Sequence, residues 1–363
     1  MSELKESRLK IQQLDKEMAG LFEQRMREVE NILAYKVRNG LPILDAEQEA
    51  RVIANNIANL TDPTLQEYYV LFLHHVMELS KAYQSRMMEG MKVAYCGVPG
   101  AFAHLAALKL FPEARMVAYP DFTAAYKACE AGEVDTAILP IENSYAGDVG
   151  RVMDLTFGGS LYINRMVELD VAQNLLAVKG SSLGSIKKVV SHPQALAQCA
   201  AYIKEHSWEE VEYSNTATAA QYVAELNDPT VAAIASEETA HLYGLEVLQS
   251  NIHSSNDNTT RFAVFSKSNH ALQTEAAGDH FILVFTVHNE AGALAKILNI
   301  IGSHGFNMSS LHSRPLTGMI WKHYFFAELE GNANSSEGKD LLRQLNTVCD
   351  KLKIIGTYRN VSL

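Results

Sequence analysis

The stretch MKVAYCGVPGAFAH, residues 91–104, decides how most of this chain folds. A short apolar segment of strand type runs into a turn that holds Gly97, Pro99 and Gly100, and a helix can begin directly after it. From there strands and helices alternate to about residue 267, which predicts α/β packing with parallel sheets, in one sheet or in two lobes. The expected strands cover residues 92–97, 115–119, 136–141, 172–178, 187–191, 210–214, 231–235 and 261–265.

Before this stretch, residues 5–90 carry helical patterns only. Between Arg8 and Lys36 the apolar residues recur at three- and four-residue steps, which predicts one amphipathic helix. Its length is about 45 Å, more than a single small domain needs, so we expect a helix of a second chain to pack on it. A second helix is predicted over residues 46–59 behind a cap at Asp45, and a third over residues 64–88.

After the α/β region, residues 280–363 follow the order strand, helix, strand, strand, helix, strand. The predicted strands are residues 281–287, 307–313, 323–330 and 352–358, and the predicted helices are residues 292–304 and 335–351. This order is typical of the ferredoxin-like α+β fold. With the polar segment 266–279 as a linker, we expect a multidomain chain with domains at residues 1–90, 91–268 and 279–363.

The composition is typical of a well-packed globular protein, with 47% hydrophobic and 20% charged residues. With 31 basic and 42 acidic residues the net charge is −11, which argues against a nucleic-acid-binding protein. An anionic substrate would therefore need a locally positive pocket. The four cysteines form no CxxC pair, and neither a secretory leader nor a membrane-spanning run is visible. We expect a cytoplasmic protein with no membrane or nucleic-acid partner.

Two cations lie inside the apolar stripe of the first helix. Arg25 and Lys36 are about three helical turns apart and project from the same side. They either extend along the edge of the stripe into water or, if buried, require anionic partners. Polar side chains with matching helical spacing follow on the next two helices, at Asp45, Gln48, Glu49, Ser80 and Gln84. The second interpretation predicts a site for a small polyanion that carries hydroxyl groups.

Four segments of this helical region resemble the all-helical chorismate mutase family. They are SRLKIQQLDKEMAGLFEQR (7–25), AYK (34–36), PILDAEQE (42–49) and ELSKAYQ (78–84). The positions that match the family's site are Arg8, Arg25, Lys36, Asp45, Gln48, Glu49, Ser80 and Gln84. The resemblance covers nearly all of residues 5–90 and implies an interlocked pair of chains.

By this resemblance the three cations hold the two carboxylates and the ether oxygen of chorismate, with Arg8 lent by the partner chain. Arg8 and Arg25 agree with that arrangement, because they project about 100° apart on one helix. The carboxylates of Asp45 and Glu49 meet the ring hydroxyl and the ether region. Gln48 departs from the family, which usually has an arginine at this position.

The chemistry that the resemblance implies needs no nucleophile, general base or cofactor. Chorismate rearranges to prephenate by exchanging bonds within one molecule, so the enzyme holds the reactive conformer. Donors aimed at the ether oxygen stabilise the negative charge that grows there. Lys36 and Gln84 are suited to this role.

Four polar segments mark places where strands or helices of the α/β region begin or end. They are GVPGAFAH (97–104), LPIENSYAG (139–147), SHPQALAQ (191–198) and NTTRF (258–262). Ligands of open α/β sheets bind outside the carboxyl ends of the strands, and backbone amides at a helix start can hold an anion. Each segment alone could be only a turn or a cap, but all four together predict a shared polar cleft.

These segments resemble the prephenate dehydratase family over residues 92–268. The family fold is two α/β lobes, like those of a periplasmic binding protein, with the substrate cleft between them. The resemblance implies that Thr260 is the acid that assists loss of the ring hydroxyl of prephenate. The other matching positions are Gly100, Glu142, Asn143, Ser144, Ser191, Gln194, Gln198, Asn215, Thr216 and Arg261.

The reaction implied by this resemblance forms an aromatic ring, which supplies most of the driving force. The protein then only needs to donate to the leaving hydroxyl and to hold the departing carboxylate in a less polar place. Arg261 and helix N-termini would offset the acidity of the chain. Ala101 and Ala103 replace two hydroxyl residues of the family's turn, which leaves backbone amides as its donors. We expect no metal or organic cofactor.

The C-terminal segments GAL (292–294) and LHSRP (311–315) resemble an ACT domain of the phenylalanine-responsive kind. In that family both motifs line an amino-acid site between paired domains. The implied effector site comprises Gly292, Ala293, Leu294, His312, Ser313, Arg314 and Pro315. His312 stands where the family usually has a glutamate, so we expect weak recognition of the ammonium group and tighter phenylalanine binding after His312→Glu.

The three resemblances follow one another in the order of the bifunctional chorismate mutase/prephenate dehydratase family of phenylalanine biosynthesis. Chorismate and prephenate would be the substrates, phenylalanine the feedback effector, and the assembly a homodimer or homotetramer. The sequence leaves two alternatives open: a non-catalytic amino-acid sensor, and a dehydratase whose mutase domain is inactive because of Gln48. Thr260 and the lack of a helix-turn-helix signal weigh against the sensor.

Overall fold

The computed structural model describes residues 3–254, 258–269, 280–316 and 322–362. The chain divides into two compact units, Met1–Gly90 and Met91–Leu363. The first is helical in all its described elements, and the second contains every described strand. Among the described residues, no helix combines the length and the apolar character that crossing a membrane requires.

The described part of the first unit consists of α1 Glu3–Asn39, α2 Ala46–Ile57, the 3-10 turn Pro63–Leu65, and α3 Gln66–Glu89. This confirms the three predicted helices, with α1 longer at both ends than the apolar pattern indicates. Asp45 caps α2 as predicted, since its side chain accepts from the backbone N–H of Gln48 at 3.0 Å. Gly90 follows α3 with a φ of 74°, which favours glycine.

The core of the first unit is thin within a single chain. Val29 and Leu33 of α1 are buried together with Leu73 and Met77 of α3. Large apolar side chains nearer the start of α1 are each at least 50% exposed: Leu4, Leu9, Ile11, Leu14, Met18 and Leu21. Apolar patches of this extent usually mark an interaction surface. This exposed stripe therefore supports the partner helix, which stays a prediction.

The second unit alternates strands and helices and then adds the C-terminal α+β region. Its strands through residue 266 are β1 Lys92–Cys96, β2 Arg115–Tyr119, β3 Thr136–Asn143, β4 Gly147–Asp148, β5 Tyr162–Asp170, β6 Asn174–Ala177, β7 Lys188–Ser191, β8 Glu209–Glu212, β9 Val231–Ala235, β10 Glu246–Gln249 and β11 Thr259–Ser266. The helices among them are α4 Phe102–Leu110, α5 Phe122–Ala131, α6 Gly150–Gly158, α7 Pro193–Gln198, α8 Ala200–His206, α9 Thr216–Leu226 and α10 Glu237–Tyr243. The C-terminal elements are β12 His280–Thr286, α11 Ala293–Ser303, β13 Met308–Pro315, β14 His323–Glu330, α12 Ser336–Leu345, β15 Lys351–Tyr358 and β16 Asn360–Ser362.

These elements form two lobes, which decides between the two arrangements that the sequence left open. In the first lobe the strand order is β5-β11-β3-β1-β2, with α4 packed on one face and α5 and α6 on the other. The second lobe has the order β10-β6-β9-β7-β8, with α7 and α8 on one face and α9 and α10 on the other. The chain passes between the lobes twice, from β5 to β6 and from β10 to β11.

Both sheets are mixed, so the prediction of parallel sheets is wrong. β11 runs antiparallel to β3 and β5, and β6 runs antiparallel to β9 and β10. The double crossing is the reason, because a strand that arrives from the other lobe enters its sheet from the opposite end. The sequence pattern also fails to predict β5 and β10. In β5 the charged Arg165 and Glu168 interrupt the apolar pattern.

The C-terminal sheet has the order β13-β14-β12-β15, which confirms the ferredoxin-like arrangement. Helix α12 ends at Leu345, earlier than predicted. The sheet continues edge to edge into the first lobe, because β15 meets β5 where Gly356 lies opposite Ile163. A Cβ on Gly356 would lie 2.2 Å from the carbonyl oxygen of Ile163, so this joint requires glycine. Of the predicted linker, Ser266 ends β11, and residues 270–279 lie outside the described residues.

Candidate active sites

The two lobes of the second unit enclose a cleft of about 700 Å³. Its walls are the loop after β1, the end of β3 and the start of β11 on one lobe, and the starts of α7 and α9 on the other. From the predicted set, Asn143, Gln194, Gln198, Asn215, Thr216 and Thr260 line it. Asp148, Gln173, His192, Ser214 and Asn258 are polar lining residues that the prediction omits.

Asn143 joins the two lobes across this cleft. Its side-chain nitrogen donates to Thr260 Oγ1 at 2.9 Å and to Asn258 Oδ1 at 2.9 Å. Its side-chain oxygen accepts from Nε2 of Gln194, on α7 of the second lobe, at 3.1 Å. Because Asn143 is the donor toward Thr260, the threonine oxygen is the acceptor in this bond, and its own proton can be directed to another group.

A second set of side-chain amides connects the lobes beside the segment between β5 and β6. Asn258 donates to Gln198 Oε1 at 3.0 Å, and Gln173 Nε2 donates to the same oxygen at 3.2 Å. Gln173 Oε1 is buried and has no hydrogen-bond partner among the described residues. A buried acceptor of this kind is costly unless a ligand or water satisfies it. Gln173 lies in no motif, so only its position at the crossing could have indicated it.

The groups of the cleft that suit an anion belong to the backbone. Among its described lining residues there is no lysine or arginine. Helices α4 and α9 both begin at the cleft, and the N-terminus of a helix carries unpaired amides and a partial positive charge. No side-chain cap hydrogen bond is made at Ala101, the residue before α4, so no cap competes with an anion there.

Two titratable side chains in the cleft are neutral near pH 7. Burial, with a smaller contribution from Asp121, raises the pKa of the Cys96 thiol to about 11. Burial lowers the pKa of His192, although Glu212 acts in the opposite direction. Neither group is therefore an activated nucleophile or a fixed charge.

Arg261 and Glu142 do not line the cleft. They face each other across β11 and β3, on the side of the sheet opposite to Thr260 and Asn143, because successive strand residues alternate between faces. The guanidinium pairs with the carboxylate of Glu142 at 3.2 Å. The structure thus corrects the expectation that Arg261 supplies positive charge to the cleft.

Three further predicted residues shape the cleft without lining it. Ser191 is fully buried and donates to a carbonyl oxygen of β9 at 2.6 Å. Ser144 Oγ accepts from the backbone N–H of Thr259 at 2.9 Å. The carbonyl oxygen of Gly100 accepts from Thr239 Oγ1 of the second lobe at 2.9 Å, and its φ of +90° favours glycine. Their roles lie in the ends of the strands and in the contact between the lobes.

In the first unit, three of the predicted residues come together. Arg25 Nη1 donates to Ser80 Oγ at 2.5 Å, and burial lowers the pKa of Arg25. Gln84 follows one turn after Ser80 on α3 and is 6% exposed. Its Oε1 is buried and has no hydrogen-bond partner among the described residues. A partly buried cation beside an unsatisfied amide suits a ligand that carries both a carboxylate and a donor.

Lys36 and Glu49 contact other groups of the same unit. Lys36 Nζ donates to the carbonyl oxygen of Ile43 at 2.5 Å, in the connection between α1 and α2. Glu49 pairs with Lys81 at 3.0 Å. The prediction omits Lys81, although it lies inside the quoted segment ELSKAYQ and its charge was a usable signal.

Arg8, Asp45 and Gln48 are not brought to this cluster within one chain. Arg8 is exposed and lies about 25 Å along α1 from Arg25. Asp45 uses its side chain for the cap of α2, and Gln48 is exposed. A site that includes Arg8 would therefore need it from a second copy.

The C-terminal region contains a cavity of about 810 Å³. Ala293 and Leu294 at the start of α11 and Ser313 on β13 line it, together with Phe157 from α6. Gly292 caps α11 with a φ of +83°, a conformation that favours glycine. The charged and histidine lining residues are His288, Glu290, Lys322, His323, Asp350 and Lys351.

His312 and Arg314 point toward the first lobe and not into this cavity. His312 Nδ1 lies 2.7 Å from Asp148 Oδ2, and Arg314 forms two bonds of 3.1 and 3.0 Å with Asp154. Because side chains alternate along β13, both lie on the face opposite to Ser313. Within one chain His312 therefore does not line this cavity, and Arg314 and Pro315 are also outside the lining. The contact of His312 with an ammonium group, expected between paired domains, stays a prediction.

Three family models match the chain in the order that the architecture indicates. Chorismate mutase type II matches residues 7–85, prephenate dehydratase residues 93–270, and the ACT domain residues 281–347. Two curated relatives named bifunctional chorismate mutase/prephenate dehydratase match nearly end to end. That of Aquifex aeolicus is 31% identical over 99% of this chain and 98% of its own. That of Enterobacter agglomerans is 30% identical over 96% and 94%.

Two solved structures that are similar to this chain each cover 74% of it. A prephenate dehydratase of Arthrobacter aurescens in complex with L-Phe is 29% identical over 90% of that chain, with a TM-score of 0.69. A structure described as a quorum quenching acylase is 31% identical over 98% of that chain, also with a TM-score of 0.69. Since both enzymatic family models match this chain and relatives of that name match it over nearly their whole length, it is an enzyme of the bifunctional chorismate mutase/prephenate dehydratase family.

Proposed function

We propose that the cleft between the lobes is the prephenate dehydratase site, and that Thr260 donates a hydrogen bond to the ring hydroxyl as it leaves. The observation that carries this is the bond from Asn143 to Thr260 at 2.9 Å, which orients the threonine oxygen as an acceptor and directs its proton elsewhere. A threonine is a weak acid. Because aromatisation supplies the driving force, hydrogen-bond donation to an already departing group is sufficient.

The carboxylates of prephenate bind at the starts of α4 and α9 in this proposal. Both helix starts lie at the cleft, where amides and helix dipoles favour anions. Asn215 already accepts from the backbone N–H of Thr218 at 2.8 Å as the cap of α9, so Thr216 is the side chain of this pair that contacts substrate. Gln194 and Gln198 contact it from the second lobe.

For the mutase reaction we assign the chorismate carboxylates to Arg25 and to Arg8 of a second copy. Lys36 and Gln84 donate to the ether oxygen, and Ser80 and Glu49 complete the site. The exposed apolar stripe of α1 supports a homodimer, because a second helix would cover it and bring Arg8 within reach. The functional domains in this proposal are residues 1–90, 91–268 and 279–363, and the enzyme works in the cytoplasm.

We assign phenylalanine, as feedback effector of the dehydratase, to the cavity at the start of α11. Its carboxylate approaches the backbone after Gly292, and its ring packs against Leu294 and Phe157, which line the cavity. The Arthrobacter aurescens relative holds L-Phe.

One assay tests the whole assignment. Purified enzyme is given chorismate, and prephenate and phenylpyruvate are followed together with and without phenylalanine. We expect both products in sequence, with phenylpyruvate formation reduced by phenylalanine. The assignment of the cleft fails if Thr260→Ala converts prephenate at the wild-type rate.

A further inference from the structure

Arg261 lies directly after Thr260 but on the other face of the sheet. Thr260 and Phe262 line the cleft, whereas Arg261 does not. Its side chain reaches instead toward the C-terminal domain, where Glu328 of β14 and Tyr358 of β15 receive it. The residue next to the proposed proton donor is therefore held by strands that belong to the regulatory part of the chain.

The contact with Glu328 is a two-pronged ion pair. Arg261 Nη1 and Nη2 donate to the two carboxylate oxygens at 3.0 and 2.7 Å, and the hydroxyl of Tyr358 donates to the same carboxylate. Glu328 is 3% exposed, so this charge has little solvent to stabilise it. Such a bidentate pair fixes both the position and the orientation of the guanidinium.

The electrostatics of this cluster keep both partners charged. Burial alone would raise the pKa of Glu328, but the bonds from Arg261 and Tyr358 outweigh it and lower the pKa below its usual value. Burial likewise opposes the charge of Arg261, and Glu328 more than compensates for it. Glu142 at 3.2 Å and Glu168 at 4.0 Å flank the same guanidinium from the neighbouring strands.

The backbone at this point is irregular. The pairing of β11 with β3 shifts between Arg261 and Phe262, so that Arg261 lies opposite Glu142 and Phe262 opposite Pro140. Such bulges occur next to active sites, where they redirect a side chain. A cation anchored on one face of the bulge can thus fix the direction of Thr260 on the other.

We propose that Arg261 is a positioning residue: clamped by Glu328 and Tyr358 of the C-terminal domain, it holds the bulge that aims Thr260 at prephenate. It does not bind the substrate. This inference rests on the proposed role of Thr260. It implies that the C-terminal domain completes the geometry of the dehydratase site as well as carrying the effector cavity.

The test compares Glu328→Gln, Tyr358→Phe and Arg261→Lys by the kcat and KM of prephenate turnover in the full-length enzyme. We expect Glu328→Gln to lower kcat by about tenfold or more, since a small misplacement of a reacting group has effects of this size, while KM changes by less than about threefold. Arg261→Lys keeps the charge but loses the fork, so it should retain part of the activity. Glu330→Gln, an exposed carboxylate on the same strand, is the matched control.

A double-mutant cycle with Thr260→Ala then separates the possible failures. In the Thr260→Ala background Glu328→Gln should lower kcat no further, because the group that it positions is gone. Thermal melts show whether Glu328→Gln still folds. If it does not, Tyr358→Phe, which removes a single hydroxyl from the same cluster, takes its place in the cycle. The inference would be overturned if Arg261→Lys raised KM while Glu328→Gln and Tyr358→Phe behaved like the control. Arg261 would then be a substrate ligand. If Thr260→Ala itself has no effect, the proposed function fails first.

Discussion

The two candidate sites of this enzyme are built in different ways. The dehydratase cleft is assembled by one chain, and its central residues Thr260 and Asn143 are each less than 10% exposed. The mutase cluster lies on helices with a thin core, and its most distant predicted member, Arg8, lies about 25 Å from Arg25. A sheet covered by helices positions side chains at its strand ends, whereas a long amphipathic helix exposes its stripe until another helix covers it. We therefore expect the mutase reaction to depend on association and the dehydratase cleft to be complete without it.

The largest effect that separates the two regions should come from Lys36→Ala. Loss of a donor to the ether oxygen should lower chorismate turnover by about 10³-fold, while prephenate turnover changes by less than about twofold. Separate assays of the two reactions measure this. Lys10→Ala, an exposed lysine on the same helix that pairs with Glu6, is the matched control. Equal loss of both activities in a folded variant would show that the two sites are not independent.

Thr260→Ala should have the converse selectivity, lowering the dehydratase reaction and leaving the mutase reaction unchanged. Prephenate turnover should fall by about 10²-fold, the usual size of a lost proton donor, with chorismate turnover kept. Thr260→Ser should recover part of the rate because it restores the hydroxyl. The neighbouring Thr259→Ala is the control, since that hydroxyl bonds Asp170 at 2.8 Å and not the cleft residues.

Gln48→Arg tests the alternative of an inactive mutase domain. An added charge-assisted hydrogen bond to a substrate carboxylate should raise kcat/KM for chorismate by about tenfold over an already active enzyme. The measurement is the initial rate of chorismate loss for both proteins. A wild-type enzyme with no mutase activity, restored by the arginine, would mean that the first unit only joins subunits.

The smallest effect concerns the contact between β13 and the first lobe. His312→Glu places a second carboxylate against Asp148, so we expect it to destabilise the fold by about 1 kcal/mol, the range of partly exposed ion pairs. Thermal unfolding at low and high salt measures this change in stability. Adding Asp148→Asn to the same variant should recover the lost stability. Tighter phenylalanine binding by His312→Glu with unchanged stability would support the sequence-based expectation instead.

Local patterns predicted the elements well where burial follows sequence periodicity. The helices of the first unit and the order of the C-terminal region were predictable, because apolar spacing reports which face is buried. The cap at Asp45 was predictable for a related reason, since its partner is three residues away. In contrast, β5 was missed because the charged residues Arg165 and Glu168 interrupt its apolar pattern, although the strand has neighbours on both sides. Glu168 lies near Arg261, a partner that is distant in sequence.

The motifs identified segments of the chain, but they did not predict the direction of each side chain. Within NTTRF, Thr260 lines the cleft while Arg261 faces the C-terminal domain, and within LHSRP, His312 and Arg314 face the first lobe. Motif letters alone do not reveal this, since alternation along a strand assigns faces only once the sheet's two neighbours are known.

By itself, the sequence determined the helical first unit, the alternation of strands and helices after Met91, the ferredoxin-like order at the C-terminus and the segments that meet at the cleft. These properties depend on periodicity and on residues close together in the chain. Only the tertiary structure decided that the sheets are mixed, that Asn143 joins Thr260 to Gln194, and that Arg261 pairs with Glu328. Such contacts join residues far apart in sequence. Their partners are selected by the packing of whole lobes, and a short segment of sequence does not determine that packing.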